Sequence, residues 1–263
     1  MGRIADILAD TRSSGRGALM PFLTAGYPDL QTTEAVLLGI EPAWADIVEL
    51  GIPFSDPIAD GPVIAASMHE ALTNGLTPDQ ILALVSRIRD RVQQGLVAMV
   101  SHSIVERSGG VDFIQRAADA GFDGFIVPDV DLERVDDLLP MIDDRNLSFS
   151  LLVAPSTTDD RLDAILPRCR GFIYLLARGG LTGVRNELPD ISPQVARIRE
   201  RTDLPIAVGF GVSSPDHVAT VVSRADAAIV GSAIVRRMGE ADDPASAALQ
   251  TIHELSGGLA AGA

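Results

Sequence analysis

The chain has 263 residues, 46% of them hydrophobic and 22% charged, with a net charge of −15. The length suits one large domain, and the apolar fraction supports a sizeable core, which excludes a disordered chain. The acidity excludes nucleic acid as a natural partner, because phosphate contacts need clustered Lys and Arg.

Short apolar runs recur along the sequence, each followed by a stretch with helical spacing. A helix is expected over residues 4–11, ahead of the first run. The runs follow in order: ALMPFLT (18–24), ADIVELG (45–51), LVAMVS (96–101), GFIVP (124–128), SFSLLVA (148–154), GFIYLL (171–176), PIAVG (205–209) and AAIV (227–230). Between them, residues 113–120, 132–144, 161–166 and 195–201 carry apolar side chains at i, i+3 and i+4. Capping residues mark helix starts at Thr32-Thr33-Glu34, Thr157-Thr158-Asp159, Ser192-Pro193 and Ser214-Pro215.

Near-continuous apolar strands alternating with helices imply a parallel sheet covered by helices. Eight such units imply an α/β fold closed as a single (β/α)8 TIM barrel, for which about 250 residues is usual. The N-terminal helix is then an extra element that closes the barrel floor. The alternative, a doubly wound open sheet, lacks its GxGxxG fingerprint after the first run. No linker divides residues 1–263, and the closing SGGLAAGA is expected to be a frayed tail.

In such a barrel the site lies at the C-terminal ends of the strands. Glu49 falls near the C-terminal end of the second run, where a carboxylate is costly to bury without a purpose or a partner. Desolvation there raises its pKa, which suits a proton donor. The loop after it, IPFSDPIADGP, holds Asp56 and Asp60 among prolines and a glycine; Asp60 is the better candidate to meet Glu49 across a substrate, and Asp56 to cap a turn. Glycines gather after the last three strands: Gly179, Gly180 and Gly183 in ARGGLTGVRNELP, Gly209 and Gly211 in GFGVSSP, and Gly231 with Ser232 in VGSAIV. Backbone amides at such glycines and at a helix N-terminus bind anions, and phosphate sites recur here in this fold. The residues therefore describe a barrel enzyme for a small phosphorylated molecule using carboxylate acid/base chemistry, without naming the substrate.

Other chemistries are set aside by composition. All 21 basic residues are arginine, so lysine Schiff-base chemistry is excluded. His69, His102, His217 and His253 do not cluster with other ligands, so no metal is expected. The one cysteine, Cys169, permits no internal disulfide and fits a cytoplasmic location; no signal peptide or membrane span is expected.

The segments PFLTAGYPDLQTT, ADIVELGIPFSDPIADGP, GFDGFIVPD, LLVAPSTTDDRL, GFIYLLARGGLTG, PIAVGFGVSSPDHV and AAIVGSAIV resemble those of the tryptophan synthase alpha subunit family, over about residues 19–235. The resemblance implies a lyase of tryptophan biosynthesis that splits indole-3-glycerol phosphate into indole and glyceraldehyde 3-phosphate. It implies that Glu49 is the general acid/base at the breaking carbon–carbon bond and that Asp60 stabilises charge at the indole nitrogen. Gly183, Gly211, Gly231 and Ser232 would hold the phosphate, Thr182 would pair with Asp60, and Phe22, Tyr174 and Phe210 would line the indole pocket. No cofactor is implied in this chain; pyridoxal phosphate would belong to a beta subunit, in an alpha2beta2 heterotetramer through which indole passes by a tunnel. A stand-alone indole-3-glycerol phosphate lyase and a catalytically idle barrel that activates a partner remain as alternatives.

Two segments depart from the family. Where it usually carries Tyr-Tyr-Asn-Pro after strand three, this chain has Ser101, His102, Ser103 and Ile104, so His102 is expected beside the pocket. In loop six Ala177 stands where serine is usual, and Gly179 adds backbone freedom.

Overall fold

The computed structural model describes residues 2–56, 60–177, 188–209 and 211–262. Its strands are β1 (Ala18–Thr24), β2 (Ile47–Gly51), β3 (Gly95–Met99), β4 (Gly124–Ile126), β5 (Ser148–Ser150), β6 (Leu152–Val153), β7 (Ile173–Leu176), β8 (Ile206–Gly209) and β9 (Ala227–Val230). Its helices are α1 (Arg3–Ser13), α2 (Leu30–Gly39), α3 (Pro62–Thr73), α4 (Pro78–Ile88), α5 (His102–Arg107), α6 (Val111–Ala120), α7 (Leu132–Asp144), α8 (Asp159–Ile165), α9 (Ser192–Arg199), α10 (Pro215–Val222), α11 (Ser232–Glu240) and α12 (Pro244–Ser256). The strands run in the order β5-β4-β3-β2-β1-β9-β8-β7-β6, and every ladder between them is parallel.

The fifth apolar run is thus two short strands rather than one. β5 pairs with β4 and β6 with β7, so this single stretch of chain closes the ring. The register shows how it closes. From Ala18 the partners run through Ala227, Ala207 and Tyr174 to Leu152. From Ser150, two residues earlier, they run through Ile126, Met99 and Gly51 back to Thr24. A circuit leaving β1 at residue 18 therefore returns at the level of residue 26, the stagger of about eight that defines this barrel.

That stagger, one residue per strand, sorts the inward side chains into layers drawn from alternate strands. The lowest full layer is Ile47, Gly124, Phe172 and Ala227, and the next is Met20, Val97, Ser150 and Ala207. Above them stand Glu49, Ile126, Tyr174 and Ile229, then Phe22, Met99, Leu152 and Gly209 toward the mouth. α1 closes the floor, with Ile4 and Leu8 buried in the same cluster as Met20, Ile47 and Phe172. Gly95 makes room for it, since a Cβ there would come within 2.5 Å of Ile4 Cδ1.

Three aspartates tie the strands at that floor. Asp46 accepts from the Leu19 amide at 3.1 Å, Asp123 from the Leu96 amide at 2.8 Å and Asp226 from the Ile206 amide at 2.8 Å. Each also meets arginine: Arg16 on Asp46, Arg89 on Asp123, and Arg12 with Arg199 on Asp226.

The helices follow local rules. α4 opens with a capping box between Thr77 and Gln80, has proline at its start, and buries Ile81, Leu82, Leu84, Val85 and Ile88 on one side. Thr158 and Ser214 cap α8 and α10 as expected. Two expected starts are corrected. α2 is capped by Asp29, whose side chain accepts from the Thr32 amide, and α9 is preceded by Ile191, with Ser192 its first helical residue. The C-terminal stretch is also corrected. Gly257–Gly262 forms a 3-10 turn, Leu259 is only 8% exposed, and a Cβ at Gly258 would lie 2.2 Å from the Pro215 carbonyl oxygen, so this segment packs on α10 instead of fraying. No helix among the described residues is long and apolar enough to cross a membrane.

Candidate active site

Glu49 points into the barrel in the layer it shares with Ile126, Tyr174 and Ile229, beside its register partners Phe22 and Val97. It is 1% exposed, and neither carboxyl oxygen has a hydrogen-bond partner among the described residues. Burial, and next the charge of Asp60, push its pKa to about 8. An ionised carboxylate here would lack the solvation that stabilises it, so the resting form is the neutral acid.

Asp60 stands on the chain just before Gly61 and α3, half-buried at the C-terminal side of the barrel. Burial raises its pKa to about 6, so at neutral pH it is ionised while Glu49 is not. Two carboxyls of different protonation state thus lie within electrostatic reach of each other, an arrangement suited to acid/base work. Asp56 is exposed and takes a 3.1 Å bond from the Ser55 hydroxyl.

Two aromatic side chains flank Glu49, Phe22 as its register partner and Tyr174 in its layer. Tyr174 is 3% exposed, and burial, then Glu49 and Asp60, raise its phenol pKa well above the usual value. Phe22 is 4% exposed. Neighbouring glycines leave these rings their room: a Cβ on Gly51 would lie 2.5 Å from Phe22 Cζ, and one on Gly209 2.6 Å from the Tyr174 hydroxyl. Gly209 and Gly51 therefore make room for the two rings, a role that the run of glycines by itself does not distinguish from anion binding.

Farther up, Gly211 adopts φ +92°, a backbone conformation that disfavours a side chain. α11 starts directly after β9 with Gly231 at its cap position and Ser232 as its first helical residue, with no side chain occupying the cap. This partly exposed N-terminus offers amide donors and the positive end of the helix dipole. Thr182, Gly183 and Phe210 lie outside the described residues, as do Gly179 and Gly180.

The departing segment forms the start of α5. The Ser101 hydroxyl donates to Asp129 at 2.7 Å, and the His102 amide donates to the other Asp129 oxygen at 2.7 Å. His102 Nε2 is buried and makes no hydrogen bond among the described residues, although a Glu106 oxygen, one turn along its own helix, comes within 3.2 Å. The segment is therefore a capped helix start braced by Asp129. Asp129 was not singled out from sequence, where it is only the residue that follows the fourth apolar run.

The family model for the tryptophan synthase alpha chain matches residues 8–263 of this sequence. The tryptophan synthase alpha chain of Acaryochloris marina is 41% identical over 242 residues, covering 91% of each chain. That of Chloroflexus aurantiacus is 39% identical over 264 residues, covering 99% of each. Among solved structures, a tryptophan synthase of Mycobacterium tuberculosis matches with a TM-score of 0.90 at 33% identity, over 98% of each chain. The tryptophan synthase A-subunit from Pyrococcus furiosus matches with a TM-score of 0.85 at 34% identity, over 92% of this chain and 98% of that one.

Proposed function

The chain belongs to the tryptophan synthase alpha chain family, and from that membership we propose that it performs the retro-aldol cleavage of indole-3-glycerol phosphate to indole and glyceraldehyde 3-phosphate, with Glu49 and Asp60 as its catalytic pair. The observation that carries the residue assignment is the buried Glu49 carboxyl without a partner, held neutral within electrostatic reach of an ionised Asp60.

The neutral Glu49 gives its proton to the indole ring carbon that bears the glycerol chain. Positive charge then spreads to the ring nitrogen, where the Asp60 carboxylate stabilises it. The carbon–carbon bond breaks as the Glu49 carboxylate takes the proton from the hydroxyl on the adjacent chain carbon, which becomes the aldehyde. Indole leaves with the first proton, Glu49 recovers the second, and the cycle needs no net proton or cofactor in this chain.

Phe22, Tyr174 and Phe210 would hold the indole ring. Gly183, Gly211, Gly231 and Ser232 would hold the phosphate, the last two through the N-terminus of α11. Thr182 would pair with Asp60. A beta subunit carrying pyridoxal phosphate is the proposed partner, in an alpha2beta2 assembly in the cytoplasm.

The test is indole release from indole-3-glycerol phosphate by the purified chain, with and without a beta subunit. Activity that rises with the partner supports the alpha-subunit reading. High activity indifferent to the partner favours a stand-alone lyase, and none in either case, with a folded protein, sinks the reaction.

A further inference from the structure

We propose that Ser67, working with Thr24, is the positioning group that fixes Asp60 over the barrel mouth; this rests on the role given to Asp60 above.

Asp60 is attached to α3, which begins at Pro62, so its height and direction follow from how the first turn of α3 is seated. Most of what seats α3 is apolar. Ile64 and Met68 form a cluster with Phe22 of β1 and Val235 of α11. Apolar packing is non-directional and permits small slides and rotations of a helix over its bed. Among the described residues, a buried polar link to β1 adds direction to that packing. The Ser67 hydroxyl lies 2.7 Å from the Thr24 hydroxyl and donates to the Ile64 carbonyl at 2.8 Å. Ser67 and Thr24 are 2% and 1% exposed, so no water competes for the bond.

A serine hydroxyl has one proton. With that proton on Ile64, Thr24 must be the donor to Ser67. The result is a chain of two bonds running one way, from the last residue of β1 through Ser67 into the first turn of α3. Thr24 is also in register with Gly51, two residues beyond Glu49 on the neighbouring strand. The link therefore references the Asp60 helix to the mouth end of the same pair of strands that carries Glu49. The hydroxyls bond to each other and to the Ile64 carbonyl, and their action is on where Asp60 stands.

The test compares Thr24→Val, Thr24→Ser, Ser67→Ala and Asp60→Asn in steady-state indole release across pH. Thr24→Val keeps the shape and removes the donor. It is expected to lower kcat by about five- to tenfold, the worth of one buried hydrogen bond, with KM changed by less than about twofold because phosphate binding is untouched. The alkaline limb of the rate profile should move to lower pH, since a displaced Asp60 no longer raises Glu49 as far. Thr24→Ser should restore both. Ser67→Ala carries the same expectation and serves should Thr24→Val not fold. In an Asp60→Asn background, Thr24→Val should have no further effect on kcat. Unchanged kcat in Thr24→Val and Ser67→Ala while Asp60→Asn is severely impaired overturns the positioning role alone. Retained turnover in Asp60→Asn overturns the assignment of Asp60 and the positioning role with it.

Discussion

Replacing Glu49 with Gln should remove indole release and also change how stability depends on pH. Gln has the shape of the neutral acid, so below the ordinary carboxyl pKa of 4.5 the two proteins should be equally stable. Between 4.5 and about 8 the folded wild type keeps a proton that its unfolded chain has lost. Its stability therefore falls as pH rises through that window and levels off above it. The variant has no such proton and does not share the fall. With each pKa unit worth about 1.36 kcal/mol, the variant should be the more stable by about 3 kcal/mol at pH 7 and by nearly 5 kcal/mol above pH 9. For a chain of this size each kcal/mol moves Tm by roughly 2–4 °C. Thermal melts of both proteins from pH 4 to pH 9 read the difference directly. A Tm difference that stays constant with pH, or a variant that is less stable at pH 8, would refute the claim that burial holds this carboxyl neutral.

The wild-type kcat/KM should be bell-shaped in pH, falling above about 8 as Glu49 loses its proton and below about 6 as Asp60 gains one; a rate flat from pH 5 to pH 9 would contradict the paired assignment. Gly211→Asp should abolish measurable binding of inorganic phosphate or substrate, because it sets a like charge at the proposed anion site on a backbone with φ +92°; calorimetric titration checks this, and unchanged affinity would move the phosphate elsewhere. Gly258→Ala drives a Cβ toward the Pro215 carbonyl and should cost about 1–3 kcal/mol in a denaturant melt while leaving kcat alone.

The barrel was legible in the sequence because its signal is repeated. The first and last strands, ALMPFLT and AAIV, have the bounds that their apolar runs imply. Glu49 stood out for the same reason, as one carboxyl inside such a run. Errors arose where a tertiary partner decided between local options. TAGYPDLQTT offers Asp29 and two threonines as caps, but Thr33 accepts a bond from the Gly26 amide at 2.8 Å and is used in the turn, leaving Asp29 to cap α2. The split of the fifth run depends on which neighbour each half meets, and the tail depends on a surface of α10 some forty residues away in the chain. Ser67 carried no signal at all: a serine in PVIAASMHE reads as one more helical residue until Thr24 is seen across from it.

The floor aspartates and Glu49 stand at different heights in the barrel, and β2 carries one of each, Asp46 before its start and Glu49 within it. Genetic damage to this protein should therefore sort by altitude. A population of loss-of-function alleles would divide into those low in the barrel, recovered as temperature-sensitive or poorly soluble chains, and those at the rim, which accumulate normally and do nothing. Three residues along one strand are enough to pass from the first class to the second, so an allele's phenotype reports how high in the barrel its substitution lies.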